Sequence, residues 1–259
     1  IPGVRSEREF RRFYPHREVM AHVVGFTNLD EHGVEGMELA FDQWLTGEPG
    51  NQKVILDRDR RIVENVDLIR PARNGKDLTL SIDRRIQYLA YSELKKSIKD
   101  NDARAGTAVV IEVKTGEVLA MVNYPSYNPN SRLAISPSLR RNAAVTDVLE
   151  PGSTMKPFTV AAALEDGIDP NMLIPTGPGK YYVAGRPISD THDYGPVDMR
   201  RLLVKSSNIA AAKLAAMMTS GHMYDVLDRF GFGERTQSGF PGESAAVLSA
   251  PNKWGPVEK

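Results

Sequence analysis

The stretch Glu150-Pro151-Gly152-Ser153-Thr154-Met155-Lys156-Pro157-Phe158 opens a helix, because Pro151 and Gly152 punctuate the chain and an apolar run to Leu164 follows. The pattern predicts a helix over about 153–164. Serine and lysine three residues apart share one side of a helix, which brings the Lys156 amine within reach of the Ser153 hydroxyl. A hydroxyl is a poor nucleophile at neutral pH and needs a base beside it. A helix start offers free backbone N–H groups that can hold an oxyanion. The positive end of its dipole also draws a lysine down from its ordinary pKa of about 10.4, toward the neutral form a base requires. Pro157 has no N–H to give to the Ser153 carbonyl, so the first turn is expected to be looser than a regular α-helix.

Alone, the pair admits two readings, an N-cap serine or a nucleophile with its base. Ser-x-x-Lys arises roughly once by chance in a chain of this size. Indeed Ser92-Glu93-Leu94-Lys95 repeats it inside an amphipathic helix, where a solvated face is the expected role. The second element is Ser206-Ser207-Asn208, 53 residues after Ser153 and set between two apolar helical stretches. It too has a plain reading, as the cap of the helix at Ile209. Its chemical reading is a second hydroxyl that relays a proton and an amide that binds a substrate carbonyl.

Outward from these motifs, Met199–Val204 and Ile209–Met218 read as helices, and Tyr181–Asp190 as strand and turn. Thr107–Val113 and Glu117–Val122 are apolar, β-rich runs joined by Lys114-Thr115-Gly116, a hairpin. Asp83 opens a helix whose apolar stripe is Ile86, Leu89, Ala90, Leu94 and Ile98. Leu78–Ile82 alternates like a strand. Arg70–Gly75 is turn-rich, and a domain boundary is placed there, at 75. Before it, Lys53–Ile69 reads as strand material and Glu35–Leu45 as one helix. Helices mixed with hairpin strands give an α+β fold.

The 259 residues carry 33 basic and 33 acidic side chains and no cysteine. The charge balance lacks the basic footprint of a nucleic-acid binder, and the missing cysteine excludes disulfide scaffolds, thiol nucleophiles and cysteine zinc sites. With 41% hydrophobic and 25% charged residues the chain is globular in composition. Its longest nearly apolar run, Ile209–Met218, is broken by Lys213 and falls short of the ~18 residues needed to span a bilayer. The five histidines show no metal-ligand spacing and are expected in surface or capping roles, with Trp44 and Trp254 in packing. Asp190-Thr191-His192-Asp193 is a polar turn that demands no chemistry. The chain opens on Ile1 without a signal peptide, so a longer parent is expected.

Ser153-x-x-Lys156 followed by Ser206-x-Asn208 is similar to the motif set of penicillin-recognising serine enzymes. The likeness extends to Arg141-Asn142, Asp147 and Glu150–Phe158, to Asn128-Pro129-Asn130 after the hairpin, and to Lys205–Asn208. It also covers Tyr14-Pro15, Ala21–Phe26, Gly33–Glu38 and Gly47–Gly50. These resemble class B penicillin-binding proteins, most closely the division-specific branch, over nearly the whole chain. The resemblance implies residues 1–75 as the end of a non-catalytic, mixed N-terminal pedestal (dimerisation) domain. It implies 76–259 as the first part of a penicillin-binding-protein/β-lactamase-like transpeptidase fold, with helices packed on an antiparallel sheet. The family's third motif, Lys-Thr/Ser-Gly on an inner strand, belongs well over a hundred residues beyond the second. Lys114-Thr115-Gly116 precedes the nucleophile and is a hairpin turn. The fold is therefore expected to be incomplete and these 259 residues inactive on their own.

The implied chemistry is peptidoglycan D,D-transpeptidation in septal wall synthesis. Ser153 is the nucleophile, Lys156 the base, Ser206 the proton relay and Asn208 the substrate-orienting amide. No metal or organic cofactor is required. The implied partners are D-Ala-D-Ala stem peptides, β-lactam antibiotics, and membrane division and glycan-polymerising proteins, with no nucleic acid. The implied location is the periplasmic face of the bacterial inner membrane, held by an upstream anchor. Rival readings are a serine β-lactamase or β-lactam sensor, and a non-catalytic wall scaffold.

Overall fold

The computed structural model describes residues 11–58, 62–131 and 135–255. Two compact units form, one from the chain up to Asp147 with Gln237–Glu243, the other from Val148–Thr236 with the segment from Ser244 onward.

The first unit contains α1 (Arg17–Val24), β1 (Phe26–Thr27), β2 (Gly33–Glu35), α2 (Gly36–Ala40), α3 (Asp42–Leu45), β3 (Asn51–Leu56) and β4 (Ile62–Arg70). It continues with α4 (Arg84–Asp100), β5 (Gly106–Ile111), β6 (Val118–Tyr124), α5 (Pro137–Arg140) and α6 (Ala143–Thr146). The helix expected over Glu35–Leu45 is two, because Phe41 leaves helical backbone with φ −117 between them. The strand material expected over Lys53–Ile69 is two strands, and β3 and β4 pair antiparallel. At Gly25 the chain passes so close to β2 that a Cβ would lie 1.7 Å from the Glu35 carbonyl oxygen, and φ is +79 there. Only glycine meets both conditions.

Asp83 caps α4, its carboxylate accepting from the Arg85 and Ile86 N–H groups as N-cap residues do. The buried face of α4 is centred on Gln87, Tyr91 and Ile98, whereas Leu89 is 60% exposed. Ile98 of the expected stripe is buried and Ile86, Ala90 and Leu94 are half-buried, so of its five residues Leu89 alone leaves the covered face; joining that face is Gln87, polar yet buried. Its Nε2 donates to the Val19 and Met121 carbonyls at 2.8 and 2.9 Å, and its Oε1 accepts from Met121 N–H at 2.8 Å. One fully bonded amide thus ties α1, α4 and β6 together, which satisfies every polar group it buries. Leu78–Ile82 forms no strand. It touches β6 through Ser81 Oγ, which donates to the Val118 carbonyl, and the next residue, Asp83, donates its N–H to the Leu119 carbonyl.

β5 and β6 form the expected hairpin. Lys114-Thr115-Gly116 is its turn, with Gly116 at φ 78 donating to the Glu112 carbonyl. Ala120 to Asn123 are buried in succession, so both faces of β6 are covered. His22 departs from its expected surface role. It is 5% exposed, its Nε2 lies 2.8 Å from the Leu139 carbonyl oxygen, and burial pushes its pKa down. Trp44 is 47% exposed rather than packed. Its indole N–H donates to the Asp77 carbonyl and the Lys76 ammonium lies over its ring.

The second unit contains a 3₁₀ turn (Gly152–Met155), α7 (Lys156–Glu165), β7 (Ile174–Pro175), β8 (Lys180–Val183), β9 (Arg186–Ser189), β10 (Pro196–Val197), α8 (Met199–Lys205), α9 (Asn208–Met217) and α10 (Ser220–Arg229). Its core joins Val160, Ala162 and Ala163 of α7 to Leu202, Ala210, Leu214, Met223 and Val226, with Ile174 and Val197 beneath. Phe158 stands edge-on to Phe230 and Phe232, both at 4.9 Å. Every strand pairing among the described residues is antiparallel and two-stranded. No helix among them is long and apolar enough to cross a membrane.

Candidate active site

The site begins with backbone geometry. Gly152 turns the chain at φ 59, and Gly152–Met155 wind as a 3₁₀ turn before α7 begins at Lys156. The looser first turn anticipated from Pro157 is this turn. Lys156 N–H donates to the Ser153 carbonyl, three residues back rather than four. Ser153 caps no helix and is exposed, while Lys156 points inward and is 8% exposed.

A second turn supplies the rest. α8 ends at Lys205, and Ser206 takes the left-handed conformation with φ 52 and ψ 42, which costs a non-glycine residue roughly 1–3 kcal/mol. That twist turns both the carbonyl and the hydroxyl of Ser206 toward Lys156. Ser207, fully buried, caps α9 by accepting from Ala210 N–H at 3.0 Å. Capping in the Ser-Ser-Asn stretch thus falls to Ser207, which leaves the Ser206 hydroxyl and the Asn208 amide oxygen free to face Lys156.

Lys156 Nζ lies 3.0 Å from Ser153 Oγ, 2.9 Å from Ser206 Oγ, 2.7 Å from the Ser206 carbonyl oxygen and 2.7 Å from Asn208 Oδ1. The other three residues expected at the site thus converge on the Lys156 nitrogen. The Asn208 amide has a set orientation, because its Nδ2 donates to the Ser189 carbonyl at 3.0 Å and only its oxygen can then face a donor. A neutral amine has two N–H bonds and one lone pair. The Ser206 carbonyl and Asn208 Oδ1, acceptors only, use both N–H bonds. The lone pair is left for a hydroxyl proton, that of Ser153 or Ser206. Burial pushes the Lys156 pKa down, against the smaller opposing pull of the Asp190 carboxylate, and the helix-start dipole acts in the same sense as burial. Such an arrangement can take a proton from Ser153 and return it through Ser206.

Sequence reasoning missed Asp190. It follows β9, and its carboxylate accepts from Ser207 Oγ and Asn208 N–H, both at 2.6 Å, and from Ile209 N–H at 3.2 Å. No motif marks it, since it meets its partners only when the hairpin folds back. Ser92 and Lys95 lie half-buried on α4 in the first unit, and the Lys95 ammonium sits 5.9 Å over the Tyr91 ring.

A serine, a lysine, a second serine and an amide within hydrogen-bond reach of one another are the groups that serine acyl transfer calls for. Residues 106–259 match the penicillin binding protein transpeptidase domain, and residues 1–80 match the penicillin-binding protein dimerisation domain. The chain belongs to the penicillin-binding protein transpeptidase family. It is 44% identical to a probable peptidoglycan D,D-transpeptidase PenA of Neisseria meningitidis, over 98% of this chain and 44% of that protein. It is 42% identical to the peptidoglycan D,D-transpeptidase FtsI of Escherichia coli, over 100% of this chain and 44% of that protein. The chain thus spans less than half the length of these relatives. Among solved structures it is similar to penicillin binding protein 3 of Mycobacterium tuberculosis, with TM-score 0.81, 28% identity, and coverage of 95% of this chain and 52% of that one. It is also similar to the transpeptidase domain of Burkholderia pseudomallei penicillin-binding protein 3, with TM-score 0.61, 41% identity, and coverage of 69% and 50%. The fold is the α+β fold of these proteins, present in part.

Proposed function

We propose that this chain carries the nucleophile half of a peptidoglycan D,D-transpeptidase of septal wall synthesis. The observation that carries the reading is the convergence of Ser153, Ser206 and Asn208 on Lys156. In the proposed reaction Lys156 takes the Ser153 hydroxyl proton as Ser153 Oγ bonds to the penultimate D-alanine carbonyl carbon of a stem peptide. The tetrahedral intermediate collapses, the bond to the terminal D-alanine nitrogen breaks, and Ser206 passes a proton to that nitrogen. An amine from a second stem peptide then attacks the ester, frees Ser153 and leaves a cross-link. Asn208 orients the donor peptide. A β-lactam, whose ring carbonyl imitates the scissile bond, acylates the same oxygen.

Residues 1–75 act in this reading as the end of a non-catalytic pedestal and 76–259 as part of the catalytic domain. Support for the first assignment is the match of residues 1–80 to the dimerisation domain, which also favours a transpeptidase over a β-lactamase. Work at the periplasmic face of the inner membrane, alongside membrane division and glycan-polymerising proteins, belongs to the same proposal. The test is to label the full-length gene product with a fluorescent penicillin and map the modified peptide. A label on Ser153 with slow release is expected. A label elsewhere refutes the site, and rapid hydrolysis of the acyl-enzyme makes the protein a β-lactamase instead.

A further inference from the structure

We propose that Asp190 is a positioning residue of this site. Its carboxylate fixes the Ser206–Asn208 turn so that the Ser206 oxygens and Asn208 Oδ1 converge on Lys156. The inference rests on the acyl-transfer reading above and adds to it a residue that no motif contains.

Three observations carry it. First, Asp190 grips the turn at consecutive points. One carboxylate oxygen accepts from the Asn208 and Ile209 N–H groups at 2.6 and 3.2 Å, and the other from Ser207 Oγ at 2.6 Å. An N-cap alone does not require this, because Ser207 Oγ already caps α9 at Ala210. The extra carboxylate takes up first-turn N–H groups that the cap leaves unpaired, and its charge suits the positive end of the helix dipole.

Second, Asp190 is itself held. Its N–H donates to the Gly179 carbonyl at 3.3 Å, where the β8–β9 hairpin closes with Lys180 opposite Ser189. The neighbouring Ser189 carbonyl takes the Asn208 side-chain amide. One short piece of chain, Ser189–Asp190, therefore fixes both the backbone and the amide orientation of Asn208. Third, the Ser206 backbone is in a left-handed conformation that a non-glycine residue keeps only where its surroundings enforce it. The Asp190 grip on the next three residues is such an enforcement.

Asp190 does not touch the reacting atoms. It acts on Lys156 through Asn208 and through its negative charge, and among the described residues it is the charged group felt at Lys156, which is otherwise faced by Ser153, Ser206 and Asn208. A merely structural carboxylate would affect folding but leave the titration of Lys156 unmoved.

The experiment measures acylation of Ser153 by a fluorescent penicillin in the full-length protein, as a function of pH, for the wild type and for D190A, D190N and D193N. Asp193 lies in the same turn, and its carboxylate accepts from Gly195 N–H. D190A is expected to slow acylation by ~10²-fold, the scale of a small misplacement of reacting groups. D190N keeps one oxygen for Asn208 N–H and should recover part of that loss. Without the charge that holds the Lys156 pKa up, its acid limb should move to lower pH. D193N should match the wild type in both respects. Wild-type rates in D190A and D190N overturn the inference, as does a D190N acid limb that stays in place. If D190A does not fold, the D190N limb decides. A wild type that is never labelled at Ser153 is a distinct failure, because it overturns the acyl-transfer reading itself.

Discussion

Replacing Lys156 tests the proton path directly. Its Nζ is 3.0 Å from Ser153 Oγ, within direct proton-transfer reach with no bridging water needed. Positioned general-base catalysis contributes about 10²–10⁴-fold, or about 2.7–5.4 kcal/mol of barrier at 1.36 kcal/mol per decade. Lys156→Ala should slow acylation by that factor. Lys156→Arg separates two explanations. A guanidinium still donates to the Ser206 carbonyl and Asn208 Oδ1, but it does not give up its proton. It should thus be nearly as slow as the alanine variant if proton transfer is the role, and nearly as fast as wild type if charge and hydrogen bonding suffice. The pH profile adds a sign. Burial disfavours the ammonium and lowers the Lys156 pKa, so the neutral base is present below the ordinary value and the acid limb of wild-type acylation should lie below 10.5. The assay is stopped-flow labelling with a fluorescent penicillin, with Lys95→Ala expected to match the wild type. A Lys156→Arg protein acylated at the wild-type rate, or equal slowing by the Lys95 and Lys156 variants, would refute the reasoning.

At Ser206, glycine and alanine substitutions both remove the hydroxyl and should both slow acylation, but glycine relieves the left-handed backbone at φ 52. The glycine variant should therefore be the more stable of the two by about 1 kcal/mol in denaturant melts; equal stabilities would mean the turn stores no strain. Leu214 is fully buried in the core of the second unit, so Leu214→Ala should destabilise it by about 2–5 kcal/mol, measured by the denaturation midpoint. A loss below 1 kcal/mol would argue against that packing. The buried His22 has a pKa lowered from 6.5 by burial, so below 6.5 the unfolded chain takes up a proton that the folded chain resists. Stability should fall as pH drops through the window beneath 6.5, and His22→Gln should flatten that slope; an unchanged slope would place the acid sensitivity elsewhere.

Whatever depends on neighbours along the chain is legible in the order of the residues. The hairpin at Lys114-Thr115-Gly116, the cap at Asp83 and the α8–turn–α9 arrangement follow from turn chemistry and apolar period, which act over a few residues. The pairing of Ser153 with Lys156 follows from helical spacing, and Pro157 announced the loose turn that precedes α7. The convergence of Ser206 and Asn208 was readable only through the likeness to a family of enzymes, since nothing local says that residue 208 meets residue 156. The fold sets the remainder, where a partner lies far away in sequence. It placed Gln87 in the core, because three carbonyl and N–H groups from α1 and β6 wait there for an amide. It left Leu78–Ile82 without a ladder, because alternation supplies a face but not a neighbouring strand. It broke the helix expected over Glu35–Leu45 at Phe41, and it buried His22. Above all it brought Asp190 onto the Ser207 hydroxyl and the Asn208 and Ile209 N–H groups. A carboxylate in a polar turn looks like any other until the fold puts unpaired N–H groups in front of it.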